Sequence, residues 1–291
     1  MYSYLFKKSQ KLWSVKINLF LKFKNLKNVN EFRLRLFSTT ILFSLFFGLY
    51  FIGNPFFSLF FTLIFFVLFY EFEQISSGKI KKNQIFKILI FQSLLISFLI
   101  SELFLLDFVK KYFNFLIFLI VSLSINSLYF KQYMDRLTFI ISNLIIISFF
   151  SLINLLLMPN GLVFFLYLVI LISTMDVFAY LGGKIYGNRK IAPKISTGKT
   201  IEGTLIGLAF TVIMSLMIKY LINFNVYQAL IAGVVIAILA FLGDLLESYF
   251  KRNIGIKDSG KLIPGHGGLM DRFDGYFLIL PLYNIYLISL L

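Results

Sequence analysis

Between Leu36 and Leu291 the chain repeatedly turns apolar for the length of a bilayer crossing, and no other feature constrains its fold so tightly. A helix needs about 20 apolar residues to cross a hydrocarbon core of roughly 30 Å. Runs of this kind read as Leu36 to Ile52, Pro55 to Phe72, Ile85 to Leu106, Tyr112 to Phe130, Leu137 to Met158, Leu162 to Gly183, Gly203 to Asn223, Gln228 to Glu247 and Tyr276 to Leu291. Gly53, Asn54 and Pro55 form a turn signal between the first two. With 59% apolar and only 14% charged residues, a soluble globular domain is excluded. The expected fold is an all-α polytopic membrane protein of about nine transmembrane helices.

The net charge of +15 invites a nucleic-acid reading, but the placement of the charges answers it. With the N-terminus in the cytoplasm, 25 of the 28 Lys and Arg residues fall in inner segments, and only Lys110, Lys111 and Lys219 lie outside. This is the bias of the positive-inside rule, and it puts the C-terminus outside. Basic loops beside anionic lipid headgroups account for the charge, so membrane lipids are expected partners and nucleic acid is not. The expected location is a multi-pass position in a bacterial cytoplasmic (inner) membrane.

Three regions follow. Residues 1–35 are a basic segment in which Leu12, Val15, Leu19 and Phe23 recur at helical spacing, as in an interfacial helix. Residues 36–158 read as a transmembrane scaffold, with Glu102 singled out as its intramembrane acid. Residues 159–291 carry the chemistry. The 38 phenylalanines are spread along the whole chain, as lipid-facing and helix-packing residues would be.

The absence of cysteine removes disulfide, zinc-thiolate and thiol-nucleophile chemistry, and a single histidine, His266, cannot supply a His-pair metal site. Any metal must be held mainly by oxygen, which points to Mg²⁺-type chemistry before transition metals.

The informative stretch runs from Asp176 to Asp274. Asp176 sits in the last turns of an apolar helix, with Tyr180 one turn later on the same face and Lys184 after a glycine pair. In the loop PKISTGKTIEG, Ser196, Thr197, Lys199 and Thr200 offer hydroxyls and a cation just before the next helix. Glycines there let backbone N–H groups approach a phosphate, although no Walker A loop is present, because its earlier glycine would fall at Pro193. Asp244, Glu247, Ser248 and Lys251 share one helix face, and Glu247 and Lys251 also fit a pair that caps a solvated helix end. Asp244 follows a purely apolar and glycine stretch without a cation in its own turn, which implies a metal or a cation from another segment.

From Lys251 to Asp274 the chain packs five cations, three carboxylates, a histidine and several glycines into one loop. That composition suits a nucleoside triphosphate: carboxylates for a divalent ion, cations for phosphate charge, and glycine backbone for close approach. Asp271 and Asp274, at i and i+3, can point together at a metal, with Arg272 directed elsewhere.

The span Ser248-Tyr249-Phe250-Lys251-Arg252, then Lys257-Asp258, Gly260, Ile263-Pro264, His266-Gly267-Gly268-Leu269 and Asp271-Arg272-Phe273-Asp274 resembles the full signature of the phosphatidate cytidylyltransferase (CDP-diacylglycerol synthase) family. Upstream, Asp176, Ala179, Tyr180, Gly183-Lys184, Gly187, Ser196, Lys199-Thr200 and Glu202-Gly203 are similar to the family's other motifs. Thr197 stands where the family usually has proline, and Ile201 where an aromatic is common. The resemblance covers roughly Ser173 to Pro281 by motif and the N-terminal half by hydrophobic pattern alone.

The resemblance implies transfer of CMP from CTP to phosphatidic acid, giving CDP-diacylglycerol and pyrophosphate for phospholipid biosynthesis, at the cytoplasmic ends of the C-terminal helices. It implies catalytic roles for Lys199, Lys251, Arg252, His266 and Arg272. Substrate contacts are implied for Asp176, Tyr180, Lys184, Ser196, Thr200, Glu247, Ser248, Lys257, Asp258, Gly267 and Gly268. Asp244, Asp271 and Asp274 become ligands of Mg²⁺ or Mn²⁺, with a second metal ion and a homodimer left open. Two rivals stand beside this reading. A CTP-dependent lipid kinase would share metal, nucleotide and membrane but not the complete signature ending at Asp274, and a transporter would place charges at mid-membrane on broken helices.

Overall fold

The structure, a computed structural model, describes residues 54–76, 136–260 and 267–290 and the single positions Thr40, Ser44, Gly48 and Phe51. The basic segment 1–35, the expected spans 85–106 and 112–130, most of 36–52, Glu102 and His266 lie outside the described residues.

In chain order the elements are α1 (Asn54–Ser76), α2 (Arg136–Leu157), α3 (Gly161–Tyr186), β1 (Lys190–Ala192), β2 (Ser196–Thr200) and α4 (Ile201–Ile218). A 3₁₀ turn (Lys219–Ile222) leads to α5 (Val226–Asn253), α6 (Met270–Phe273) and α7 (Tyr276–Leu290). Each of the six expected spans within the described residues has its helix. Four of these, α2, α3, α4 with its 3₁₀ extension, and α5, are long and apolar enough to cross a membrane.

Local sequence explains where the helices begin. Thr200, in extended backbone, caps α4 by accepting the Gly203 N–H at 3.2 Å. Asn225 and Gln228 form a reciprocal capping box at α5, both bonds 2.8 Å. In α2, hydroxyls that would be orphaned in an apolar interior donate back to their own helix, as Ser151 does to the Ile147 carbonyl.

One expectation is corrected. The segment read as a loop before α4 is an antiparallel hairpin, pairing Lys190 with Thr200 and Ala192 with Ser196, so the fold is all-α only outside this two-stranded sheet. Pro193 sets the turn, which the Ile195 N–H closes on the Ala192 carbonyl at 3.0 Å. The sheet holds residues 196–200 extended, which a free glycine-containing loop would not do.

The most extensive packing joins α3 to α4. A Cβ at Gly203 would stand 2.5 Å from the Ala179 carbonyl oxygen and 2.7 Å from the Gly183 nitrogen, so only glycine permits this backbone approach. Elsewhere aromatic rings form the contacts: Phe65 of α1 stacks on Phe149 of α2 with centroids 4.1 Å apart, and Phe72 stacks on Phe250 of α5. The C-terminal ends of α1, α3 and α5 and the N-terminal ends of α4 and α7 therefore meet at one end of the bundle, where Arg252 Nε of α5 donates to the Ile195 carbonyl of the hairpin at 3.2 Å.

Candidate active site

Many of the residues singled out by sequence converge at that end. A cavity of about 310 Å³ is lined by Met175, Asp176, Ala179 and Tyr180 of α3, Ser196, Gly198, Lys199 and Thr200 of β2, and Thr204 of α4. Phe241 and Asp244 of α5, with Asp271 and Asp274, complete it. Its size lies in the range of small-molecule sites, and its wall is part apolar and part charged.

Lys199 is delivered by the hairpin. Its Nζ meets Asp244 Oδ2 at 2.5 Å and lies 4.9 Å from the centroid of the Phe241 ring. The partner that Asp244 lacks in its own turn is thus a cation from a distant segment, one of the two alternatives its isolation implied. Asp244 Oδ1 also accepts from Ser248 Oγ at 3.3 Å.

Lys251 bridges two carboxylates, Glu247 at 2.6 Å and Asp271 at 2.7 Å. The pairing of Glu247 with Lys251 that sequence allowed is present, but Glu247 is fully buried, so the pair does not cap a solvated helix end. Asp271 further accepts the Ser259 N–H at 3.1 Å and the Gly268 N–H at 3.2 Å. Burial alone would raise its carboxyl pKa; the Lys251 ammonium and the backbone donors outweigh that and hold it below the usual carboxylate range. Asp274 behaves in the opposite way. Burial, and then the charge of Asp244, push its carboxyl up to about 7.

The remaining expected residues divide. Tyr180 is exposed into the cavity, and Ser196 lines it. Thr200 also lines it, with its hydroxyl engaged as the α4 cap. Gly267 adopts φ +89°, a conformation that favours glycine, just before the Asp271 turn. Arg252 is occupied by the Ile195 and Ile256 carbonyls and ties the hairpin to α5. Lys184, Lys257, Asp258 and Arg272 are exposed and outside the cavity lining.

The donor set fits a hard divalent cation. Four aspartates share one cavity, and the burial and the Asp244 charge that together raise Asp274 are what a bound cation would offset. Among the described residues no three acidic or histidine side chains are grouped closely enough to hold a metal as they stand, and Asp244 and Asp271 are paired with Lys199 and Lys251. Sequence reasoning did not single out Glu71, Ser259, Thr204 or Phe241. Of these, Glu71 is an acid at the edge of an apolar run, a position it shares with Glu73 and which by itself marks no site.

The protein named phosphatidate cytidylyltransferase in Staphylococcus aureus (strain COL) is 46% identical over 132 residues, 45% of this chain and 51% of that one. Its namesake in Staphylococcus haemolyticus (strain JCSC1435) is 41% identical over 133 residues, 45% of this chain and 51% of that one. In Escherichia coli (strain K12), uncharacterized protein YnbB is 46% identical over 125 residues, 43% of this chain and 42% of that one. The chain spans about half the length of the curated relatives it matches. A profile of the cytidylyltransferase family matches residues 33–290, nearly the whole sequence, and the chain belongs to that family.

Proposed function

We propose that the protein is a CTP:phosphatidate cytidylyltransferase. The observation that carries this reading is one open cavity at the end of an apolar helix bundle, lined by four aspartates, Lys199 and hydroxyls together with the apolar Met175, Ala179 and Phe241. A soluble nucleotide and a lipid phosphate can meet at such a place. A phosphatidate oxygen bonds to the α-phosphorus of CTP, the bond from that phosphorus to the bridging oxygen breaks, and pyrophosphate leaves.

The charge balance bears on the cofactor. Lys199 and Lys251 pair with Asp244 and Asp271, while Asp176 and Asp274 have no ion-pair partner among the described residues, so two phosphate-bearing substrates would add negative charge to a cavity with no cation to spare. A divalent ion, Mg²⁺ or Mn²⁺, held by Asp244, Asp271 and Asp274, would supply positive charge and stabilise the attacking and leaving oxygens. The chain's own part is positioning. Lys199 exchanges Asp244 for phosphate, Tyr180 and Ser196 line the cavity with hydroxyls, and Lys251 keeps Asp271 ionised and fixed. Purified protein with phosphatidate should move label from α-labelled CTP into lipid and leave label from γ-labelled CTP in pyrophosphate. Label reaching lipid from the γ-position would identify a lipid kinase instead.

The nine-span topology belongs to the same proposal, with the N-terminus and the active site cytoplasmic and the membrane the bacterial inner membrane. It rests on the charge asymmetry of the loops. A 28-residue α5 is about 42 Å long, more than a core of roughly 30 Å, so about its last two turns extend beyond the rim and Asp244 lies near it. The native chain has no cysteine, so introduced ones report cleanly. Cysteines at Asn188 and Asn253 should label from the cytoplasmic side, and one at Tyr220, 77% exposed at the opposite end of α4, from the outside. Labelling of Tyr220 and Asn253 positions from the same side would refute the topology.

A further inference from the structure

Helix α6 is a single turn, and its preceding residue, Leu269, gives no side-chain cap. The first N–H groups of such a turn are orphaned unless something else accepts them. Here the acceptor comes from 198 residues earlier in the chain: Glu71 Oε2, on α1, takes the Leu269 N–H at 2.7 Å and the Met270 N–H at 3.0 Å. Glu71 is 4% exposed and lies next to Asp271 through these bonds without lining the cavity.

The surrounding backbone is shaped to admit this carboxylate. A Cβ added at Gly260 or at Gly268 would collide with Glu71 Oε1, and one at Gly268 would also strike Ser259 Oγ. Two glycines of the loop therefore serve to seat an acidic side chain of the N-terminal half, in addition to any approach to phosphate. The loop bearing Asp271 is thus held from both sides, by Lys251, Ser259 and Gly268 on the Asp271 carboxylate and by Glu71 on the two amides just before it.

We infer that Glu71 is a positioning residue for the reaction, fixing the turn that presents Asp271 to the substrates from a helix otherwise read as scaffold. The inference rests on the proposed role of Asp271. The acceptor oxygen matters more than the charge, since one atom receives both amides. Glu71→Gln can place an oxygen there, whereas Glu71→Ala cannot. A misplacement of about 1 Å in a catalytic group costs on the order of 100-fold in rate.

Residue-resolved amide hydrogen exchange and CTP-dependent kinetics on the full chain in nanodiscs would test this. Glu71→Ala should speed exchange at Leu269 and Met270 at least tenfold and lower kcat about 100-fold with KM for CTP within about twofold. Glu71→Gln should keep the protection and remain within about threefold of the native kcat. Should Glu71→Ala fail to insert, Glu71→Asp, shorter by one methylene, should show the same faster exchange and an intermediate kcat. Unchanged exchange at both amides in Glu71→Ala or Glu71→Asp would overturn the inference, as would a Glu71→Gln protein as slow as the alanine variant. A native protein without cytidylyl transfer would defeat the proposed function while leaving the exchange comparison readable.

Discussion

Asp244→Asn is expected to leave the protein folded and inserted while lowering cytidylyl transfer by about three orders of magnitude, the several kcal/mol that charge stabilisation at a metal-assisted site provides. The surroundings of Asp244 make this a clean substitution. Its two oxygens face different partners, Lys199 Nζ and Ser248 Oγ. An asparagine can turn its oxygen to the ammonium and its amide to the hydroxyl, so shape and hydrogen bonding survive while the carboxylate is lost. Asp271→Asn is less clean, because every partner of that carboxylate is a donor: the Lys251 ammonium and the Ser259 and Gly268 amides. One end of an asparagine there would point donor at donor, loosening the loop as well as removing charge. If both aspartates serve one centre, the double variant should be little slower than the slower single one, since residues acting as a unit are strongly non-additive. Steady-state rates against Mg²⁺ concentration decide this. Near-native turnover of Asp244→Asn at saturating Mg²⁺ would remove it from the site.

Lys251→Met is expected to be the most damaging single change to the fold. The ammonium is the shared partner of Glu247, which has no exposed surface, and of Asp271. Removing it leaves carboxylates buried without compensation, a loss of roughly 3–5 kcal/mol for a broken buried pair. Thermal unfolding in detergent should shift downward by many degrees, and activity should vanish because Asp271 is no longer held. The double variant Glu247→Gln/Lys251→Met separates the two effects. Neutralising Glu247 should recover most of the lost thermal stability, and activity should stay absent. Recovery of activity with stability would show that Lys251 acts only as a structural counter-ion.

What could be read in advance was what is local in sequence. Charges packed into Lys251–Asp274 after an apolar helix announce a site, because such groups are costly to place at a membrane without a purpose, and the apolar runs announce six helices that the structure contains. The isolation of Asp244 could be seen as well, since its own helix supplies no cation. Its partner could not be identified, because Lys199 meets Asp244 only when the hairpin folds over the end of α5. That hairpin escaped notice for a physical reason: STGKT has a glycine and no apolar alternation, so its strand character comes from pairing with Lys190–Ala192 rather than from propensity.

Glu71 marks the same boundary more sharply. Beside Glu73 and Gln74, it reads as the polar flank of an apolar run. Nothing local distinguishes it from its neighbours, because its meaning lies in two amides 198 and 199 residues away. The sequence by itself determined the helical class, the apolar spans and the residue types of a phosphate and cation site, since these follow from hydrophobic length and local charge. Tertiary packing alone decided which aspartate faces which lysine and which distant acid holds the loop, because a hydrogen bond between remote elements exists only at the few ångströms that packing sets.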